Sequence, residues 1–219
     1  MADDPSPCTG RRGKVRPEND MGRPAVFLDR DGTLVREVEY LRSLSQLRLL
    51  PGAAGAVRQC NEAGLAVVVT TNQSAIARGL LTEAELTHIH EVLRRRLARR
   101  KARLDGLFYC PHHPEALLPE YRRRCRCRKP APGMLLRAAR ELDLDLARSF
   151  AIGDRSRDIE AGRRAGCRTI LVATGYGAAT AADWADEQAP SHVAGNLVEA
   201  VSWILAQAGG RMGAKCEQP

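Results

Sequence analysis

Aromatic residues are scarce in this chain: Phe, Tyr and Trp make up 4% of its 219 residues. Proteins that grip single-stranded nucleic acid by stacking interleave aromatic with basic side chains. No such interleaving occurs here, although the formal net charge is +8. The basic excess is arginine-rich and partly gathered between Arg94 and Arg103. Residues 91–103 have the pattern of an exposed helix face, with Val92, Leu93, Leu97 and Leu104 on the buried side. A solvated helix face explains this cluster best, and nucleic acid is not an expected partner. Long apolar runs are lacking too. None reaches the length of a bilayer-spanning helix, so no membrane partner is expected. The first residues lack the apolar stretch of a secretory signal.

A disulfide framework is also missing. Of seven cysteines, three crowd between Cys110 and Cys127 beside His112 and His113. In a cytoplasmic protein that crowding points to a metal. Three thiolates and one imidazole make a closed tetrahedral zinc site, which leaves no open position for chemistry. Cys60 and Cys167 read as inert thiols. Cys8 and Cys216 fall in the expected tails. His88 and His90 read as solvent-facing helix residues.

What is present is a regular alternation of strand and helix. Expected strands are 25–28, 65–70, 106–109, 149–152 and 168–172. Expected helices are 52–62, 82–100, 132–142, 157–165 and a last one from Asn196 to Ala206. Residues 65–70 are nearly all Val and Ala, hence buried on both faces. Thr82 followed by Glu85 is a capping box. The alternation implies a parallel sheet with helices on both faces. Residues 1–23, polar and aperiodic, read as a disordered N-terminal extension. Met21 is an alternative start to Met1. Residues 24–208 form one domain, and 209–219 a flexible tail. Two segments, 35–50 and 111–129, leave the C-terminal ends of strands and overhang them. Neither is large enough for an independent cap.

Chemistry concentrates at those strand ends. Phe27-Leu28-Asp29-Arg30-Asp31-Gly32-Thr33-Leu34 closes the first strand with two carboxylates at alternate positions. Asp29 and Asp31 can share a face while Arg30 points away. Ligands of open α/β sheets sit at this edge. Paired acids attract a divalent cation and can divide the roles of nucleophile and proton donor. An Asx-rich turn would explain this stretch alone. Three further pieces weaken that explanation. Thr71, in Thr70-Thr71-Asn72-Gln73-Ser74, places a hydroxyl and turn N–H groups where phosphate oxygens can be held. Arg128-Lys129-Pro130 places a cation that can neutralise a phosphoryl group. Gly153-Asp154 ends the fourth strand with an oxygen ligand for Mg²⁺. Asp158 is either an acid supporting that site or the acid favoured in a first helical turn.

Four motifs in this order resemble the haloacid dehalogenase (HAD) superfamily of Mg-dependent phosphotransferases. The resemblance implies a Rossmann-like HAD core, with a small flap and a zinc loop (110–127) in place of a large cap. Thr71-Asn72-Gln73-Ser74-Ala75-Ile76-Ala77-Arg78-Gly79, Cys110-Pro111-His112-His113-Pro114 and Cys125-Arg126-Cys127-Arg128-Lys129-Pro130 resemble one subfamily more closely, the heptose bisphosphate and histidinol phosphate phosphatases. There the zinc ligands correspond to Cys110, His112, Cys125 and Cys127. The implied activity is a cytoplasmic, monomeric phosphomonoesterase acting on a small sugar phosphate. Asp29 would be the nucleophile and Asp31 the acid and base. Asp29, Asp154 and the Asp31 carbonyl would hold Mg²⁺. Thr71 and Lys129 would stabilise phosphoryl oxygens. Glu37, Tyr40, Asn72, Gln73, Ser74, Arg128 and Arg155 would contact substrate, with Arg128 on a second phosphate. The chain departs from the subfamily in two places. Glu37-Val38-Glu39-Tyr40 stands where an Asp-His-Gly-Tyr-like string is usual, and Arg155 where Lys is common. A nucleic-acid-binding module and a polynucleotide end phosphatase are competing readings. Intact acids oppose the first, and the lack of a groove-forming insertion opposes the second.

Overall fold

A computed structural model describes residues 22–182, 184 and 189–212. Six parallel strands run in the order β3-β2-β1-β4-β5-β6. They are β1 (Arg23–Leu28), β2 (Ala66–Asn72), β3 (Gly106–Cys110), β4 (Leu144–Gly153), β5 (Arg168–Val172) and β6 (His192–Ala194). The helices are α1 (Ala53–Glu62), α2 (Ser74–Ala77), α3 (Glu83–Ala98), α4 (Gly133–Leu142), α5 (Ser156–Arg164), α6 (Gly177–Ala182) and α7 (Leu197–Met212). The fold is the expected α/β one.

Two-residue alternation divides the core between the two faces of the sheet. Val26, Leu28, Val67 and Val69 pack with α1, α3 and α7. Ala25, Phe27, Ala66 and Val68 pack with α4 and α5. Helix α3 starts as its sequence dictates: Thr82 Oγ1 accepts from the Glu85 N–H, and Glu85 Oε2 accepts from the Thr82 N–H. Asn196 caps α7 by accepting from the Glu199 N–H. Cys60 and Cys167 are buried, and burial pushes both thiols up to about 12, so neither supplies a thiolate.

Some boundaries differ from expectation. Arg23, expected in the extension, opens β1, because Arg23 and Pro24 pair with Leu144 and Asp145. That pairing also starts β4 at Leu144 rather than Ser149, ahead of a bulge that the polar Asp145 and Arg148 conceal from a hydropathy reading. Residues 209–212, expected in the tail, continue α7. Residues 1–21 and 213–219, with Cys8, Met21 and Cys216, lie outside the described residues.

The chain winds from β1 outward through β2 to β3, then crosses back to β4. The topological switch therefore falls between β1 and β4. Crevices at such a switch, beyond the strand C-termini, are where ligands bind. Asp29 follows β1 and Asp154 follows β4. Segment 35–50 folds over this edge as a flap, its base tied by the Arg36 N–H donating to Arg48 O at 2.8 Å. Segment 111–129 covers the same edge from the β3 side.

Candidate active site

Asp29 continues the β1 ladder, its N–H donating to Ile152 O at 2.9 Å. Its carboxylate lies beside Asp154 and Asp158, and the three offer oxygens within 4.8 Å of one another. All three are buried. Lys129, also buried, places Nζ 2.7 Å from Asp29 Oδ1 and 2.6 Å from Asp158 Oδ1. The same ammonium donates to Thr70 O at 2.8 Å.

This crowding shows in the electrostatics. Burial pushes the Asp29 carboxyl up to about 7; Lys129 pulls it down, while Asp158, Asp154 and Asp31 push it up. Burial, with Asp158, pushes Asp154 up to about 6. Lys129 is raised as well: burial opposes its charge, but Asp158 and Asp29 outweigh burial. Asp154 Oδ2 accepts from the Tyr176 N–H at 2.9 Å, whereas Oδ1 is buried without a hydrogen-bond partner. Three acids with a single ammonium and an orphaned oxygen suit a hard divalent cation, which takes oxygen ligands. Gly32 and Gly175 let the chain pass this close. Both have positive φ, 82° and 61°, and a Cβ on either would collide with Asp154 Oδ2.

Asp31 is placed differently. Its carboxylate is not in the three-acid cluster. Arg30 grips it, Nε donating to Oδ1 at 3.0 Å and one terminal nitrogen to Oδ2 at 2.8 Å. Arg30 was expected to point away. It is instead fully buried, because its long side chain folds back along the sheet edge to reach Asp31, Gln73 and His90. His90, expected in solvent, is buried too. It shares the inward face of α3 with Leu86, Leu93 and Leu97, at helical spacing. Burial, Arg30 and Arg94 push its imidazole down to about 3. His88 is exposed as expected.

Thr71, at the end of β2, is buried beside the acids, and its Oγ1 accepts from Gln73 Nε2 at 2.7 Å. Gln73 Nε2 also donates to Asp31 Oδ2 at 3.1 Å. Asn72 exchanges two bonds with the Lys129 backbone, Nδ2 donating to its O and the Lys129 N–H donating to Oδ1. Asn72 thus latches the base of Lys129 to β2. Both amides were expected on substrate; they line the cavity, but their polar atoms are engaged within the protein.

The cavity over these residues has a volume of about 230 Å³. Of the expected contacts it takes in Asp29, Asp31, Glu37, Tyr40, Thr71, Asn72, Gln73, Ser74, Arg128 and Arg155. It also takes in Glu39, Arg78, His113 and Arg157, which sequence reasoning had not assigned to it. Arg128 is half-buried, and its guanidinium is held below the usual range by burial and by the charges of Arg157 and Arg78. Arg78 and Arg157 each bury an Nε without a hydrogen-bond partner. Arg155 lies 3.5 Å over the Tyr176 ring, with Glu37 Oε2 4.0 Å away. Burial and Asp31 raise the Glu37 carboxyl. Arg78 lay within the string that marks the subfamily; that string was the signal available for it.

Beside the cavity, Cys110, His112, Cys125 and Cys127 converge, their four ligand atoms within 4.8 Å. Cys127 Sγ is 3.2 Å from the sulfurs of Cys110 and Cys125 and 3.4 Å from His112 Nδ1. The set fits one metal ion. His113 turns the other way, into the cavity.

The fold and this strand-end acid site define the HAD class, and known proteins agree. Residues 126–200 match the family described as HAD-hydrolase-like. Over 166 residues the chain is 42% identical to the D-glycero-β-D-manno-heptose-1,7-bisphosphate 7-phosphatase of Yersinia pestis, covering 74% of this chain and 88% of that one. It is 44% identical over 166 residues to the same-named protein of Escherichia coli (strain K12), covering 74% and 87%. The fold matches a crystal structure of the D,D-heptose 1,7-bisphosphate phosphatase of B. bronchiseptica, complexed with magnesium and phosphate. That match has a TM-score of 0.75 and 36% identity, and covers 84% of this chain and 99% of the other. The chain belongs to the HAD family of hydrolases, the family of these heptose bisphosphate phosphatases.

Proposed function

We propose that this chain removes the 7-phosphate of D-glycero-β-D-manno-heptose 1,7-bisphosphate, yielding the heptose 1-phosphate and inorganic phosphate. The observation that carries the chemistry is the buried group of Asp29, Asp154 and Asp158 around Lys129. The names of relatives at 42% and 44% identity support the substrate. Asp29 attacks phosphorus to form an aspartyl-phosphate. Asp31 gives its proton to the departing sugar oxygen, then takes one from the water that hydrolyses the intermediate. Asp29, Asp154 and the Asp31 carbonyl would hold Mg²⁺, which when bound screens carboxylate from phosphoryl oxygens. Lys129 and Thr71 face the equatorial oxygens.

The cavity supports a small doubly anionic substrate. Four guanidiniums line it, two of them with an unpartnered Nε. Arg128, which lines the cavity, would take the phosphate that does not react and grip it through paired hydrogen bonds. Cys110, His112, Cys125 and Cys127 would hold Zn²⁺ in a closed structural site. Cys60 and Cys167, the described cysteines outside that metal cluster, are unpaired, in keeping with a reducing cytoplasm. Every residue invoked lies within 24–208, so the site needs no residue from a second copy.

The test is a panel of both heptose 1,7-bisphosphate anomers, histidinol phosphate and a 5′-phosphorylated oligonucleotide. Phosphate release should be fastest from the β-anomer, and phosphorus NMR should place the loss at C7. Histidinol phosphate turned over as well as the heptose ester would reject the substrate assignment. Release from the oligonucleotide alone would reject the class.

A further inference from the structure

Arg30 reaches Asp31 with two parallel hydrogen bonds, yet nothing covalent fixes Arg30 itself. Its guanidinium is held from the far side. One terminal nitrogen lies 3.0 Å from His90 Nε2, and the other donates to Gln73 Oε1 at 2.9 Å. His90 belongs to α3, whose inward face packs in the core, so it is a rigid anchor. Gln73 closes the ring by donating to Asp31 Oδ2 and to Thr71 Oγ1. A planar fork fixes the plane of the carboxylate it binds as well as its position. Asp31 Oδ2 accepts from both Arg30 and Gln73, whereas Oδ1 accepts only from Arg30 and keeps a lone-pair direction free to face the cavity.

We propose that His90 is a positioning residue for the reaction: acting through Arg30, it sets the plane in which the Asp31 carboxylate faces the leaving oxygen and the attacking water. His90 does not line the substrate cavity. It acts only by holding Arg30. The inference rests on the acid–base reading of Asp31.

His90→Leu removes the acceptor and keeps an apolar side chain against the core, whereas His90→Gln keeps an acceptor within reach of Arg30. Both are assayed as the Mg²⁺-loaded protein on heptose 1,7-bisphosphate. His90→Leu should lower kcat by about 10-fold, since misplacement of a reacting group by ~1 Å costs up to about 100-fold. KM should stay within about twofold, because the carboxylate that shifts meets the leaving oxygen and the water, while His90 touches none of the cavity arginines that would bind phosphate. His90→Gln should restore most of kcat. Arg30→Lys, which keeps the charge but not the fork, should repeat the kcat-only loss, and it serves if His90→Leu does not fold. In an Asp31→Asn background, His90→Leu should cause no further loss of the residual rate, because coupled residues are not additive. An unchanged kcat in His90→Leu and Arg30→Lys, a change confined to KM, or an undiminished loss in the Asp31→Asn background would overturn the proposal. Full activity of Asp31→Asn by itself would instead overturn the acid–base reading.

Discussion

Lys129 and Asp158 form a buried ion pair, with Nζ 2.6 Å from Oδ1. Asp158 sits in the first turn of α5, and its Oδ2 accepts from the Arg155 N–H at 3.0 Å. The two roles that its sequence position allowed are therefore filled together: it caps a helix and neutralises the ammonium beside Asp29. Breaking such a pair strands the remaining charge. Lys129→Met should destabilise the Mg²⁺-free protein by about 3–5 kcal/mol, the usual loss for a broken buried pair. It should also slow turnover about 100- to 1,000-fold, as loss of one preorganised donor does. Urea denaturation with and without Mg²⁺ checks this. Mg²⁺ should recover more stability in the variant than in the wild type, and equal recovery would show that Lys129 does not offset the three acids.

Asp29→Asn should end turnover, because a carboxamide is a poor nucleophile. It should also change how stability depends on pH. The folded protein keeps a proton on Asp29 up to about 7, whereas an unfolded chain loses it near about 4. Between those values the folded state binds more protons, so this group destabilises the fold as pH rises through that window. His90, pushed down to about 3, works in the opposite direction below about pH 6.5. The difference between wild type and Asp29→Asn isolates Asp29. In Mg²⁺-free buffer the variant should gain stability relative to wild type from pH 4 to 7, then hold level. A constant difference in denaturation midpoint would remove the raised carboxyl.

The Cys₃His cluster ends at Cys127, and Arg128 and Lys129 follow directly. Arg128 donates to His112 O at 3.1 Å, which ties the cavity arginine to the loop itself. Cys125→Ser should release about one zinc per chain, lower the melting temperature and reduce activity together, since metal binding and loop folding are one event. Elemental analysis and a thermal melt check this. Wild-type protein prepared without chelators but free of zinc would end the assignment.

Patterns local along the chain were legible. The Val run of β2, the Thr82–Glu85 box and the acids after β1 and β4 each state their structure within a few residues. What the sequence hid was set by reach and by long-range company. Alternation correctly separates Arg30 from Asp31 along the strand, yet a side chain that long can fold back, and it does. The spacing of His90 from Leu86 and Leu93 was readable as a buried position, but its polarity suggested solvent. Asn72 and Gln73 looked like ligand contacts because they follow Thr71, and nothing local reveals that Lys129 and Arg30 would claim their amides. The three-residue β6 is too short to carry a period. Arg157 enters the cavity only because α5 begins where β4 meets the switch point.

Arg128→Ala should erode the preference for bisphosphate more than it slows a generic monoester. A remote phosphate gives binding energy that orients the reacting one, and Arg128, half-buried with Arg157 and Arg78 beside it, is a cavity cation that an anion would relieve. A loss of about 10- to 100-fold in kcat/KM is expected for the bisphosphate, in keeping with a charge-assisted bond of ~1.5–3 kcal/mol. An aryl phosphate should lose less than about threefold on the scale of that same bond. Parallel kinetics on the two esters decide it, and equal losses would move Arg128 to the reacting phosphate.

Glu39 has φ 56°, a left-handed conformation for a residue with a Cβ. The Tyr40 N–H donates to Val38 O at 2.6 Å, so Glu39 is the middle of a tight three-residue turn in the flap. Such a backbone strains a non-glycine residue by roughly 1–2 kcal/mol. Glycine stands at the matching point of the string that this flap resembles, and glycine removes the strain. Part of the gain is lost again, because glycine adds about 0.5–1 kcal/mol of unfolded-state freedom. Glu39→Gly should therefore stabilise the protein by up to about 1 kcal/mol. Glu39→Ala removes the same carboxylate from the cavity wall but keeps the Cβ, so it should give no such gain. Chemical denaturation of the two variants beside wild type separates backbone from charge. If alanine stabilises as much as glycine, the carboxylate and not the turn is what strains the flap.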